Sequence, residues 1–165
     1  MFFLESSSGF LHWLENSEAA LFFRQSIWLY PAVEIIHIIG FAVLVGAAFL
    51  FDLRLLGMAR KLPVKESIKH FILWARISFL AVLLSGLILF MVNAVSIAFN
   101  PAFRIKLALI FLAGLNAYVF HTFTVRTVGK WNINRMPPVK ARVAGILSIL
   151  LWFSVIACGR LIAYT

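Results

Sequence analysis

The stretch IWLYPAVEIIHIIGFAVLVGAAFLF, residues Ile27 to Phe51, decides the fold. It is an unbroken apolar run longer than the roughly 20 residues a helix needs to cross the hydrocarbon of a bilayer. Trp28 and Tyr30 mark the headgroup level at its start, and Pro31 falls in the first turn, where a missing N–H costs little. Three further runs follow, Ile68 to Val92, Phe103 to Val125 and Val143 to Ala163. A sheet in lipid must close into a barrel of short alternating segments, and these runs are long and continuous. The fold class is therefore all-α: an integral membrane four-helix bundle over residues 27–165.

Working outward, residues 1–26 alternate differently. Phe10, Leu11, Trp13, Leu14, Leu21, Phe22 and Phe23 come in clumps between Glu15, Asn16, Ser17, Glu18 and Arg24, which fits a short amphipathic helix lying in the membrane interface, with Ser17 as N-cap of its second half. No basic segment and no small-residue cleavage site precede Trp28, so the first span is expected to stay in place and direct insertion. The connections carry Gly57 and Pro63, Asn100 and Pro101, and Gly129, Pro137 and Pro138, and are short enough to make successive spans antiparallel neighbours. Small residues within the spans, among them Gly40, Gly46, Gly86, Gly114 and Gly145, mark where helices can approach closely.

At 165 residues, 63% hydrophobic and a mean hydropathy of +1.00, the chain has one domain and more apolar surface than a water-soluble core would hide. Its formal charge of +9 is not a nucleic-acid stripe, because the cations sit in short loops. Arg54, Arg60, Lys61, Lys65 and Lys69, with Arg126, Lys130, Arg135, Lys140 and Arg142, place ten of the fifteen on one side. By the positive-inside rule that side is cytoplasmic, and both termini are expected on the periplasmic side of a bacterial inner membrane. Cys158 is the single cysteine, so no intrachain disulfide, thiolate cluster or covalent c-type haem is available.

Charged and polar side chains inside spans are expensive and so are candidates for function, with structural pairing and snorkelling as the plain alternatives. Glu34 and Asp52 are eighteen residues apart, about five turns, and share a face, with His37 about 60° away. Glu34-x-x-His37 has the spacing of a di-iron bundle motif, but no second motif faces it. Lys106, Ala113, Gly114, Ala117 and His121 share one face of the third span, and Lys106 is at a depth where it can pair with Glu34. Arg76 and Asn116 have similar depths and are expected to bond to each other. Arg160 either snorkels or joins Glu34. A haem b needs only imidazoles on facing helices and an apolar slot. His37 is about 20 Å from its span's far end and His121 about 6 Å from its own, so His70 and His121 form the better bis-imidazole pair and His37 is a separate ligand, a proton carrier or a partner of Glu34. For His70 and His121 the alternatives are an interfacial side chain among lysines and a hydrogen-bonded helix end.

The string Leu29-Tyr30-Pro31, Glu34, His37, Gly40, Gly46 and Asp52-Leu-Arg-Leu-Leu-Gly57, with Asn100-Pro-Ala-Phe-Arg-Ile-Lys106 and Gly114-Leu-Asn116, resembles an uncharacterised family of small bacterial four-span membrane proteins. That resemblance implies the fold and the membrane, not an activity. More distantly, a His early in the first span, a Gly-rich stretch and a Lys opening the third span are similar to haem J-type protoporphyrinogen oxidases and copper-resistance D-type membrane domains, which implies ligand or catalytic roles for His37 and Lys106. Three functions follow as expectations: a haem b protein of electron transfer or porphyrin redox chemistry, a cofactor-free accessory or scaffolding subunit of a homo-oligomer or larger membrane complex, and a transporter, for which the polar residues are sparse.

Overall fold

The structure, a computed structural model, describes residues 2–58, 61, 63–124, 128, 131 and 134–164. It is all-helical among those residues. Two short helices, α1 (Phe2–Glu15) and α2 (Glu18–Gln25), precede α3 (Leu29–Leu55), α4 (Val64–Val92), a short α5 (Ala94–Phe99), α6 (Pro101–Val119) and α7 (Val139–Leu161). Four of them are long and apolar enough to cross a membrane: α3, α4, α6 with the turn that follows it, and α7. Their outward faces carry Ile35, Ile38, Leu80, Leu84, Phe111 and Leu150, each at least 54% exposed, an apolar belt suited to a lipid bilayer. The molecule is a multi-pass membrane bundle.

Local sequence sets the helix ends. Ser17 accepts from the Ala20 N–H (3.3 Å), the cap expected for α2. Asn100 accepts from the Phe103 N–H (3.1 Å) with Pro101 at the first position of α6. At the other end of α3, Gly57 adopts φ 94°, and the N–H groups of Gly57 and Met58 donate to the carbonyls of Arg54 and Leu53 (3.2 and 3.1 Å). This double closure needs a left-handed residue, which glycine supplies, and it carries α3 one turn past Phe51. Asp52 and Arg54, expected at the start of a loop, are thereby helical and buried, at 5% and 2% exposure.

α3 packs along α4 and α7, and α7 packs along α6, while α4 and α6 hardly touch along their length. Gly40 permits the first contact: an added Cβ would stand 3.1 Å from Val82 Cγ2. Gly145 permits the second, since its Cβ would stand 3.3 Å from both the Asp52 carbonyl oxygen and Leu55 Cβ. Gly46 and Gly114 make no such approach, although their smallness suggested one. At the end where the α3–α4 and α6–α7 connections lie, the loop end, Leu55, Val64, Ile68, Phe120, Val128 and Trp131 form the main apolar core. Of the residues expected to orient the chain, Arg60, Arg126 and Lys130 lie outside the described residues.

The opposite, amphipathic end is built on the break between α4 and α5 at Asn93. Glu15 accepts from the Val95 N–H (2.8 Å), satisfying a donor at the start of α5, and it pairs with Arg24 (3.4 Å). Arg24 in turn donates to the Val92 carbonyl at the end of α4. One ion pair therefore caps two helix ends of opposite polarity and docks α1 and α2 on the bundle.

Candidate functional site

Because α4 and α6 stay apart, a cavity of about 250 Å³ opens between them, backed by α3 and α7. It is a slot between the two spans. Toward the amphipathic end Phe90 of α4 and Phe103 of α6 stack across the gap, centroids 5.5 Å apart. Toward the loop end Ile68 and Phe120 meet in the core. Five aromatic rings, Phe51, Phe71, Phe79, Phe120 and Trp152, stand in the lining, and alanines at positions 48, 75, 113, 117 and 144 make the room. The polar residues on the wall are Asp52, Asn116, His121 and Ser148.

Each has a definite local origin. Asp52 is carried into the α3–α7 contact by the extra turn of α3, where it lines the slot together with Ser148 of α7. The second carboxyl oxygen, Oδ2, is buried with no hydrogen-bond partner among the described residues. A buried acceptor left unmade costs about 1–3 kcal/mol, so this is a deliberate expense or a place for a partner. Asn116 donates through Nδ2 to the Ala144 carbonyl (3.0 Å), tying α6 to α7. His121 is exposed at the loop-end rim, in a π-helical turn, Phe120–Thr124, that ends α6; such turns recur at functional sites.

A second polar group lies nearer the amphipathic end. Ser85 donates to the Ala81 carbonyl (2.6 Å), which uses its only proton, so its contact with His37 Nδ1 (3.0 Å) requires His37 to donate through Nδ1. In the neutral ring this leaves Nε2 as the acceptor. Gly86 makes the space, because a Cβ there would stand 3.1 Å from His37 Cε1. Lys106 of α6 lies across Gly159 of α7, where an added Cβ would be 3.7 Å from Nζ, and faces the Phe41 ring at 6.0 Å. Phe41 packs edge-on against Trp152 (6.0 Å), which separates this group from the slot.

The expected pairs are mostly not assembled. Glu34 is exposed, and neither Lys106, His37 nor Arg160 pairs with it among the described residues. Arg160 is exposed and donates instead to the Tyr164 hydroxyl (2.5 Å). Asn116 bonds α7 rather than Arg76, which is exposed; by helical spacing Arg76 stands about 80° from the slot-lining stripe of α4, at the lip of the slot. His70 is exposed about 200° from the same stripe, on the opposite face of α4, so one chain does not bring His70 and His121 to a common iron. No group of three or more His, Cys, Asp or Glu side chains that could hold a metal ion occurs among the described residues. Asp52 is the site residue to which sequence reasoning gave no role, although it placed Asp52 on one face with Glu34. Its signal was there: it shares a face with Glu34, and Gly57, not Phe51, marks the end of the helix.

These features define a class, a multi-pass helical membrane protein with a lateral apolar slot between two of its spans. Residues 10–165 match the model of the Family of unknown function (DUF6644), and the chain belongs to that family. No curated protein and no solved structure matches the chain, so the distant likeness to haem J-type oxidases and copper-resistance D-type domains gains no support.

Proposed function

We propose that the protein binds a flat, ring-bearing redox molecule that enters its slot sideways from the bilayer. The observation that carries this reading is the slot itself, apolar, lined in part by aromatic rings and placed where α4 and α6 part. Haem b is one such molecule, and the donor set permits a one-sided fit: His121 would hold the iron, with Arg76 at the lip for an acidic ring substituent, while His37 is not among the residues that line the slot and His70 faces outward. Bound there, haem would supply one-electron transfer. Phe79, Phe120 and Trp152 would exclude water from the ring. The test is the visible spectrum of gently purified protein from a haem-supplied host, oxidised and reduced. A Soret band with the weak visible bands of a single axial imidazole, lost in His121→Ala, is the expected result for haem. A flat spectrum at full folding removes haem and leaves the slot to another ring.

We further propose a bacterial inner-membrane location with the loop end in the cytoplasm. Lys61, Lys69, Arg135, Lys140 and Arg142 lie at that end of the molecule. Arg54 no longer counts, being buried in α3.

A second reading is a cofactor-free accessory subunit of an oligomer or larger membrane complex. It is favoured by Arg76, an exposed cation on the apolar outer surface of α4 with no ion pair among the described residues. Cross-linking from position 76 in native membranes tests it: a single discrete adduct supports a protein partner there, and lipid adducts alone count against it.

A further inference from the structure

The back wall of the slot holds one group that the fold leaves unanswered. Asp52 keeps only 5% of its exposure, and Oδ2 of its carboxyl has no partner among the described residues. Asp52 borders the slot on one side and a smaller cavity between α3 and α7 on the other. Oδ2 is therefore shut off from water yet placed beside space that a ligand can fill. The other wall groups sharpen the chemistry. The Asn116 amide spends one of its two N–H groups on the Ala144 carbonyl, and the acceptors this wall leaves to a guest are Asp52 Oδ2 and Asn116 Oδ1. A ring that carries a hydrogen-bond donor answers them. Haem does not, since its pyrrole nitrogens hold the iron and its polar substituents are themselves carboxylates.

We propose that the slot holds the hydroquinone head of an isoprenoid quinol, with Asp52 accepting a hydrogen bond from a ring hydroxyl and the tail leaving between α4 and α6 into the bilayer. This assignment rests on the slot being a ligand site. The aromatic walls take the ring faces, and the parting of α4 and α6 gives a hydrophobic tail its way out without crossing a helix contact.

The test uses the whole protein in nanodiscs under reducing conditions and measures equilibrium binding of a decyl-substituted benzoquinol and its dimethyl ether, with the benzoquinone in a parallel oxidising series. Wild type is expected to bind the quinol about tenfold more tightly than the ether, the worth of one hydrogen bond to a buried acceptor. Asp52→Leu is expected to bring the quinol down to the affinity of the ether. Asp52→Asn, which keeps the shape and supports the result if the leucine variant does not fold, turns the acceptor into an amide donor and is expected to prefer the quinone. Equal binding of quinol and ether by wild type, or a quinol preference that survives both substitutions, overturns the assignment. Ala75→Phe fills the slot from α4 and separates the two levels of the argument. If it abolishes binding of ligands that wild type holds without a quinol preference, only the hydroquinone assignment fails. If wild type binds none of the three, or the filled variant binds as wild type does, the slot reading fails with it.

Discussion

Arg24 and Glu15 show how much depends on single side chains at a helix break. Each satisfies a backbone group that the interruption at Asn93 would otherwise orphan, and each is held by the other. Arg24→Ala removes a charge-assisted bond and is expected to cost about 1.5–3 kcal/mol, released as faster amide exchange in α1, α2 and α5 with α6 and α7 unchanged. Hydrogen-exchange mass spectrometry reads this directly; uniform loss of protection would mean that the pair holds the whole bundle instead. His37 makes a comparable claim on one atom. Its bond to Ser85 fixes the proton on Nδ1, so nitrogen NMR of the labelled ring is expected to show the Nδ1–H tautomer in wild type and a mixture in Ser85→Ala. An Nε2–H ring in wild type contradicts the bonding described. Sequence reasoning singled out His37 as a separate ligand, a proton carrier or a partner of Glu34, and missed Ser85, because helical spacing says which residues share a face of one helix and not which neighbouring helix supplies a serine.

At the scale of elements, the close contacts are made by glycines that do different work. Gly145 lets the backbone of α3 at Asp52 and the side chain of Leu55 approach α7, so Gly145→Leu must push the helices apart. Overpacking of this kind is expected to cost about 1–3 kcal/mol and to lower the thermal midpoint in detergent. Gly114→Ala, facing open space, is expected to leave the midpoint unchanged or raise it. Equal effects at the two positions would contradict the packing described. The four spans themselves were legible because a run of about 20 apolar residues has few other uses, and the caps at Ser17 and Asn100 follow from side-chain chemistry that acts within three residues. The end of α3 was less so. Hydropathy stops at Phe51, where charge begins, whereas the backbone stops at Gly57, where the left-handed closure lies. The difference of one turn decides whether Asp52 is a solvated loop residue or the buried back wall of a cavity. The separation of α4 and α6 has no local signature at all, since it is a matter of which helices pack on α3 and α7.

For the whole molecule, the open side is the feature that matters most. A closed four-helix bundle would bury the stripe of α4 that runs through Ile72, Ala75 and Phe79 against α6; here that stripe lines a slot that reaches the loop-end core at Ile68 and Phe120. Orientation is a property of the same scale. Reporter fusions after Tyr164 and within the α3–α4 connection are expected to place the terminus outside the cytoplasm and the connection inside it, and the reverse pattern would overturn the charge-based topology. The slot itself is tested most directly by native mass spectrometry of the protein released from membranes with mild detergent, comparing wild type with Ala75→Phe. The expected result is a stoichiometric non-phospholipid adduct on wild type that is missing from the filled variant. Bare wild-type protein, phospholipid adducts alone, or an adduct that persists in Ala75→Phe would contradict a ligand held between α4 and α6.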